Sequence, residues 1–179
     1  MENILFFIVL FLIAVLTLIA FTVFVLKKVG INNLPSFSDS YYQLKEIKDW
    51  YKYLFQGTLA IMALCLTPVI LQFTPEKWQF LAFFTSTPIL FVALAPRFSA
   101  VDNKYSDQEK KVHSIAAIIS GISSCIWVVV IGLWWLIPVI SLFAFVAYLY
   151  WKQLTWWAEM ACFAWTIVTL GYTIFLLIV

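Results

Sequence analysis

The chain has 179 residues, 64% of them hydrophobic and 11% charged, with a formal net charge of +2. Soluble domains carry about 25% charged residues, so a water-soluble globule is excluded. A charge this small, with no basic cluster in a polar segment, also argues against nucleic-acid binding. What remains is an all-α, multi-pass protein of the cell (inner) membrane whose immediate partners are membrane lipids.

A membrane-crossing helix needs about 20 mostly apolar residues, and six stretches qualify: 4–26, 50–73, 78–95, 112–131, 133–151 and 154–179. The first has no basic leader and no small-residue cleavage site, so it reads as a retained helix and not a signal peptide. Pro96 and Arg97 close the third, while Gly132 and Pro138 mark a tight turn between the fourth and the fifth. With the amino terminus outside, ten of the eleven Lys and Arg residues fall on the inner side, and only Lys77 falls on the outer. Basic residues in short loops favour the cytoplasm, which predicts six crossings with both termini outside. Trp50, Trp78, Trp134, Trp135, Trp151, Trp156 and Trp157 gather near the ends of the stretches, where indole rings suit the interface.

In lipid an apolar face gains nothing by turning inward, so small and polar residues reveal the packed interior. Lys152, Thr155, Glu159, Cys162, Thr166, Thr169 and Thr173 recur every three or four residues along the sixth stretch. They form one stripe that meets protein or water, with Trp157, Phe163, Trp165, Ile167, Leu170 and Ile174 filling the remainder. The fourth stretch carries Ser114, Ala117, Ser120, Gly121 and Ser124, where Ala117 and Gly121 permit close backbone approach. Thr85, Ser86 and Thr87 precede Pro88, which leaves a carbonyl unbonded in mid-helix. The second, third, fourth and sixth stretches are expected to surround the interior, with the first and fifth outside. Cys65, Cys125 and Cys162 lie in apolar surroundings without a CxxC neighbour, so neither a disulfide framework nor a zinc ribbon is indicated.

Glu159 is the one acid well within a span, and two readings are open for it. It serves a site, or it snorkels or pairs with Lys152. His113, the only histidine, opens the fourth stretch on the same side, preceded by Asp102 and Asp107. In the first inner loop, Ser36, Ser38, Asp39, Ser40, Tyr41 and Tyr42 form a dense polar and aromatic cluster. This suits a turn and a helix start with Ser38 or Asp39 as N-cap. The expectation is an ordered cap folding back on the bundle, its hydroxyls satisfying helix-end donors and its tyrosines lying against apolar surface. The candidate ligand-binding set is therefore Glu159, His113, Asp39, Ser38, Tyr41, Tyr42, Asp102 and Thr155.

The stretches "PSFSDSYYQL" and "VDNKYSDQEKKVHSIAA" resemble a small family of six-helix prokaryotic membrane proteins. That family has been grouped with the alkaline ceramidases and progestin/adiponectin-type receptors. The same stretches look like hypothetical membrane proteins of Bacteroides-type bacteria and their prophages. The resemblance implies a metal-dependent membrane hydrolase holding its metal with several histidines, whereas this chain has only His113. A catalytic zinc takes three protein ligands plus water, so no metal, cofactor or catalytic residue is assigned. GxSxG, P-loop and HExxH patterns are also missing from the sequence. Three functions stay open: an inner-side cavity that holds a lipid or other amphiphile, which is preferred; an ion or proton pathway lined by the sixth stretch, which would need a homo-oligomer if one bundle is too narrow; and a degenerate hydrolase.

Overall fold

The computed structural model describes residues 2–94 and 107–178, with side chains over 4–94 and 111–178. Among the described residues the chain forms α1 (Glu2–Lys28), α2 (Ser40–Ile47), α3 (Lys52–Phe73), α4 (Phe80–Leu94), α5 (Asp107–Val130), α6 (Leu136–Trp151) and α7 (Leu154–Ile178). A helix satisfies each backbone N–H and C=O within its own segment, as a hydrocarbon environment demands. Five segments are long and apolar enough to cross a membrane: Ile4–Lys28, Asp49–Phe73, Glu76–Leu94, Lys111–Val130 and Leu154–Ile178. Large apolar side chains such as Leu5, Leu64, Phe143 and Leu142 stand exposed along the outer faces, far beyond the patches that a water-soluble monomer shows. The chain is a helical membrane protein.

The stretch expected at 133–151 is helical only from Leu136 to Trp151, 16 residues. At a rise of 1.5 Å per residue that is about 24 Å, short of a hydrocarbon core of about 30 Å. The turn takes up the difference. Gly132 sits at φ 87°, a left-handed position that glycine adopts without strain, and the N–H groups of Gly132 and Leu133 return to the carbonyls of Val129 and Val128. Pro138 lies inside the first turn of α6, where its missing N–H leaves no bond unmade, so Gly132 alone marks the reversal. At the other end, Lys152 takes a left-handed conformation (φ 59°) and its N–H caps the carbonyl of Tyr148 at 2.7 Å.

The helices pack in a chain of neighbours: α1 on α3, α3 on α4, α4 on α5, α5 on α7 and α6 on α7. Helix α1, expected on the lipid-facing outside, is the least buried of the five long segments and packs through one face, Ala14, Leu18, Phe21 and Val25. Their spacings of four, three and four put them on one side of the helix. Helix α6 buries only Leu136. Along α7 the polar stripe turns inward from Glu159 onward, with Thr166 and Thr169 buried and Cys162 half-buried, while Lys152 and Thr155 are exposed. Trp165, Leu170 and Ile174, expected toward lipid, are buried as well, because α7 packs against α1, α3, α5 and α6.

Candidate functional site

The segment between α1 and α3 is anchored first by apolar contacts. Leu34, Phe37 and Leu44 are 0%, 2% and 0% exposed. The Phe37 ring sits between Phe21, Phe55, Trp156 and Phe163, at centroid distances of 5.4–5.9 Å. Trp156, expected at the interface, is therefore a core residue, 1% exposed, and its backbone N–H donates to the carbonyl of Pro35 at 3.1 Å. Gln153 adds a bond from Nε2 to the carbonyl of Asn32 at 2.9 Å. Residues near the start of α7 thus clamp the loop in place.

This loop delivers donors to Glu159. The Phe37 N–H donates to Glu159 Oε2 at 2.5 Å, and the Ser38 hydroxyl reaches Oε1 at 3.4 Å. Ser38 Oγ also lies 3.0 Å from His113 Nε2. A hydroxyl has one proton and two lone pairs, so Ser38 can donate to Glu159 while accepting from His113. The loop, α5 and α7 meet at this relay. Lys152 takes no part; it is exposed, its Nζ lies 5.9 Å from the Tyr148 ring centroid, and the ion pair among the described residues is Lys52–Asp49. The reading of Glu159 as a partner of Lys152 is corrected accordingly.

Beyond the relay lies a cavity of about 80 Å³. Glu159 and Ser38 stand in its wall, and the remainder is chiefly apolar, including Leu59, Ile89, Val92 and Phe163. The α5 wall is formed by Ala117, Ser120 and Gly121. A Cβ on Gly121 would meet Cys162 Sγ at 3.5 Å, an ordinary contact, so the helix packing here does not require glycine at 121. The cavity wall draws on α3, α4, α5, α7 and the loop.

Farther along the bundle the polar groups pair across helices. Thr67 and Ser86 hydroxyls share a bond of 2.6 Å, and Ser120 donates to the carbonyl of Thr85 at 2.5 Å. That carbonyl neighbours the one that Pro88 leaves without its helical donor. Two buried indoles then close the end opposite the loop: Trp165 Nε1 donates to Ser124 Oγ at 2.9 Å and Trp127 Nε1 to Thr74 Oγ1 at 2.7 Å.

Of the predicted site residues, the fold brings Ser38, His113 and Glu159 together. Asp39 is half-buried at the N-cap of α2 without a side-chain capping bond. Its carboxylate accepts from Ser36 Oγ at 2.8 Å and its N–H donates to that same oxygen at 3.0 Å, so of the expected N-caps, Ser38 or Asp39, it is Asp39 that holds the position, with its side chain closing the preceding turn. Tyr41 and Tyr42 are half-buried and stacked edge to face, with Tyr41 against Phe55. Thr155 is exposed, one turn short of the cavity. Asp102 lies outside the described residues. Among the described residues, no group of three or more His, Cys, Asp and Glu side chains could hold a metal ion. Phe37 was not singled out in the sequence; the signal was its place as the apolar residue flanked by Ser36 and Ser38. No protein-family model matches this chain, and no curated protein or solved structure is similar enough to count as a relative.

Proposed function

We propose that this protein binds a single-chain amphiphile in the cytoplasm-facing cavity beneath the Leu34–Tyr42 loop. The observation carrying this reading is the make-up of the cavity wall: the Glu159 carboxyl and the Ser38 hydroxyl against a lining that, apart from Ser120 and Cys162, is aliphatic and aromatic. Volume selects the ligand class. An apolar cavity of about 150 Å³ accepts benzene, so about 80 Å³ suits a thin chain segment and is too small for a two-tailed lipid. Glu159 and Ser38 would hold the polar end of that ligand. Native mass spectrometry of the protein extracted with a single-chain fatty alcohol tests the assignment. Wild type should retain the adduct, and Ala117→Phe, which fills the space while leaving Glu159 and Ser38 in the chain, should lose it; equal retention by both would refute the reading.

The topology that places this cavity toward the cytoplasm belongs to the same proposal. The ten-to-one distribution of basic residues supports six crossings with both termini outside. Helix α6 completes its crossing with Trp134, Trp135 and Trp151, all exposed at its ends. Cysteines introduced at Asn3 and Lys45 should label from opposite sides of the membrane; labelling from one side rejects six crossings. An ion or proton pathway is the second reading, supported by Thr166 and Thr169 continuing the buried polar face beyond Glu159. Ion flux into proteoliposomes would favour it over ligand retention. The hydrolase reading rests on the sequence resemblance alone.

A further inference from the structure

A second, smaller cavity of about 30 Å³ adjoins the first, the two sharing Ile89, Ser120, Cys162 and Phe163 in their walls. Its wall draws on α3, α4, α5 and α7 and includes Thr85, Ser124 and Thr166. Thr85 is 3% exposed, and its hydroxyl has no hydrogen-bond partner. A buried hydroxyl without a partner is unfavourable, and the surrounding groups have unused capacity. Ser120 donates its proton to the Thr85 carbonyl and Thr166 to the Cys162 carbonyl, which leaves lone pairs on both hydroxyl oxygens. Ser124 donates to the Gly121 carbonyl and accepts from Trp165, so it too retains a lone pair. A water molecule requires roughly 10–15 Å³ on this measure of volume and two to four polar partners. The cavity meets both conditions.

We propose that this second cavity is a binding site for a cluster of about two ordered water molecules, which accept the Thr85 proton and donate to Ser120 and Thr166. The cluster gives the Glu159 cavity a hydrated neighbour inside the membrane. Trp165 donates to Ser124 in the wall of the second cavity, and the Trp127–Thr74 bond lies farther along the bundle. This inference is independent of any bound amphiphile, because it rests on the unpartnered threonine and the groups around it.

Two measurements on the full chain in lipid nanodiscs test it. In microsecond hydroxyl-radical footprinting, activated water should oxidise Cys162 and Phe163 in wild type, and Thr85→Val should reduce that oxidation severalfold. Thr85→Ser, which keeps the hydroxyl, should restore it. Thermal unfolding gives the opposite sign for a dry and a wet cavity. Thr85→Val should lower Tm by a few degrees when it removes a hydroxyl bonded to water, and raise it when it removes one that is unsatisfied. Oxidation of Cys162 and Phe163 that does not respond to Thr85, or a rise in Tm for Thr85→Val, would overturn the proposal.

Discussion

The two ends of the bundle solve one problem with different materials. Farther from the loop, each buried polar pair ties helices together through side chains: Trp127 of α5 with Thr74, the residue that caps the end of α3, and Trp165 of α7 with Ser124 of α5. At the loop end, the buried acceptor is a carboxyl, and its shortest donor is the backbone N–H of Phe37, a non-helical residue. The difference follows from helix chemistry. Beyond the first turn, a helix has used every backbone N–H internally, so neighbouring helices can offer a carboxyl only side-chain donors. A loop still has N–H groups to give. A neutral hydroxyl can be matched between helices; a carboxyl in the membrane draws the intervening loop down onto the bundle.

That contrast predicts that damage at the loop end also releases the loop, whereas damage at the opposite end does not. The largest effect is expected from Phe37→Ala, which removes the ring packed among Phe21, Phe55, Trp156 and Phe163. Such a truncation costs about 3–5 kcal/mol, and limited proteolysis should now cut between Asn32 and Asp39. A variant with wild-type unfolding and no new cleavage would show that the loop is held by something other than its aromatic anchor.

Glu159→Leu comes next. It leaves the Phe37 N–H without its acceptor, a loss of about 1–3 kcal/mol, read from denaturant unfolding in detergent together with increased cleavage of the loop. Glu159→Gln keeps an acceptor oxygen and should lose about half as much or less, since bonds to charged groups are the stronger ones. Lys152→Ala should remain within about 0.5 kcal/mol of wild type. A Lys152 effect as large as that of Glu159 would bring back the ion pair that the geometry denies.

A modest effect sharpens the other half of the comparison. Trp127→Phe removes one donor while Thr74 still donates to the carbonyl of Ile70, so stability should fall by about 1 kcal/mol. Proteolysis of the loop should not change. Enhanced cleavage in this variant would mean that the two ends are coupled and that the contrast between them is false.

Helical class and membrane residence were legible in the sequence because both depend on summed properties. Five apolar segments of sufficient length need no knowledge of what touches what. The inward turn of α7 at Glu159, Cys162, Thr166 and Thr169 was also legible, since a three-and-four periodicity survives any packing arrangement. The fold alone decided that Phe37 and not Asp39 is the centre of the loop, that Ser38 links His113 to Glu159, and that Trp156 and Trp165 are core residues. These depend on contacts between residues more than 40 positions apart. A period tells which residues share a face but not which face of another helix lies opposite. For the same reason Thr155, in phase with the stripe, ended exposed. The sequence by itself thus determined the solvent this chain lives in and the side of α7 that avoids it. Only the tertiary structure decided which donors meet the carboxyl there, because a backbone N–H looks the same at every residue until the fold leaves one unpaired beside an acceptor.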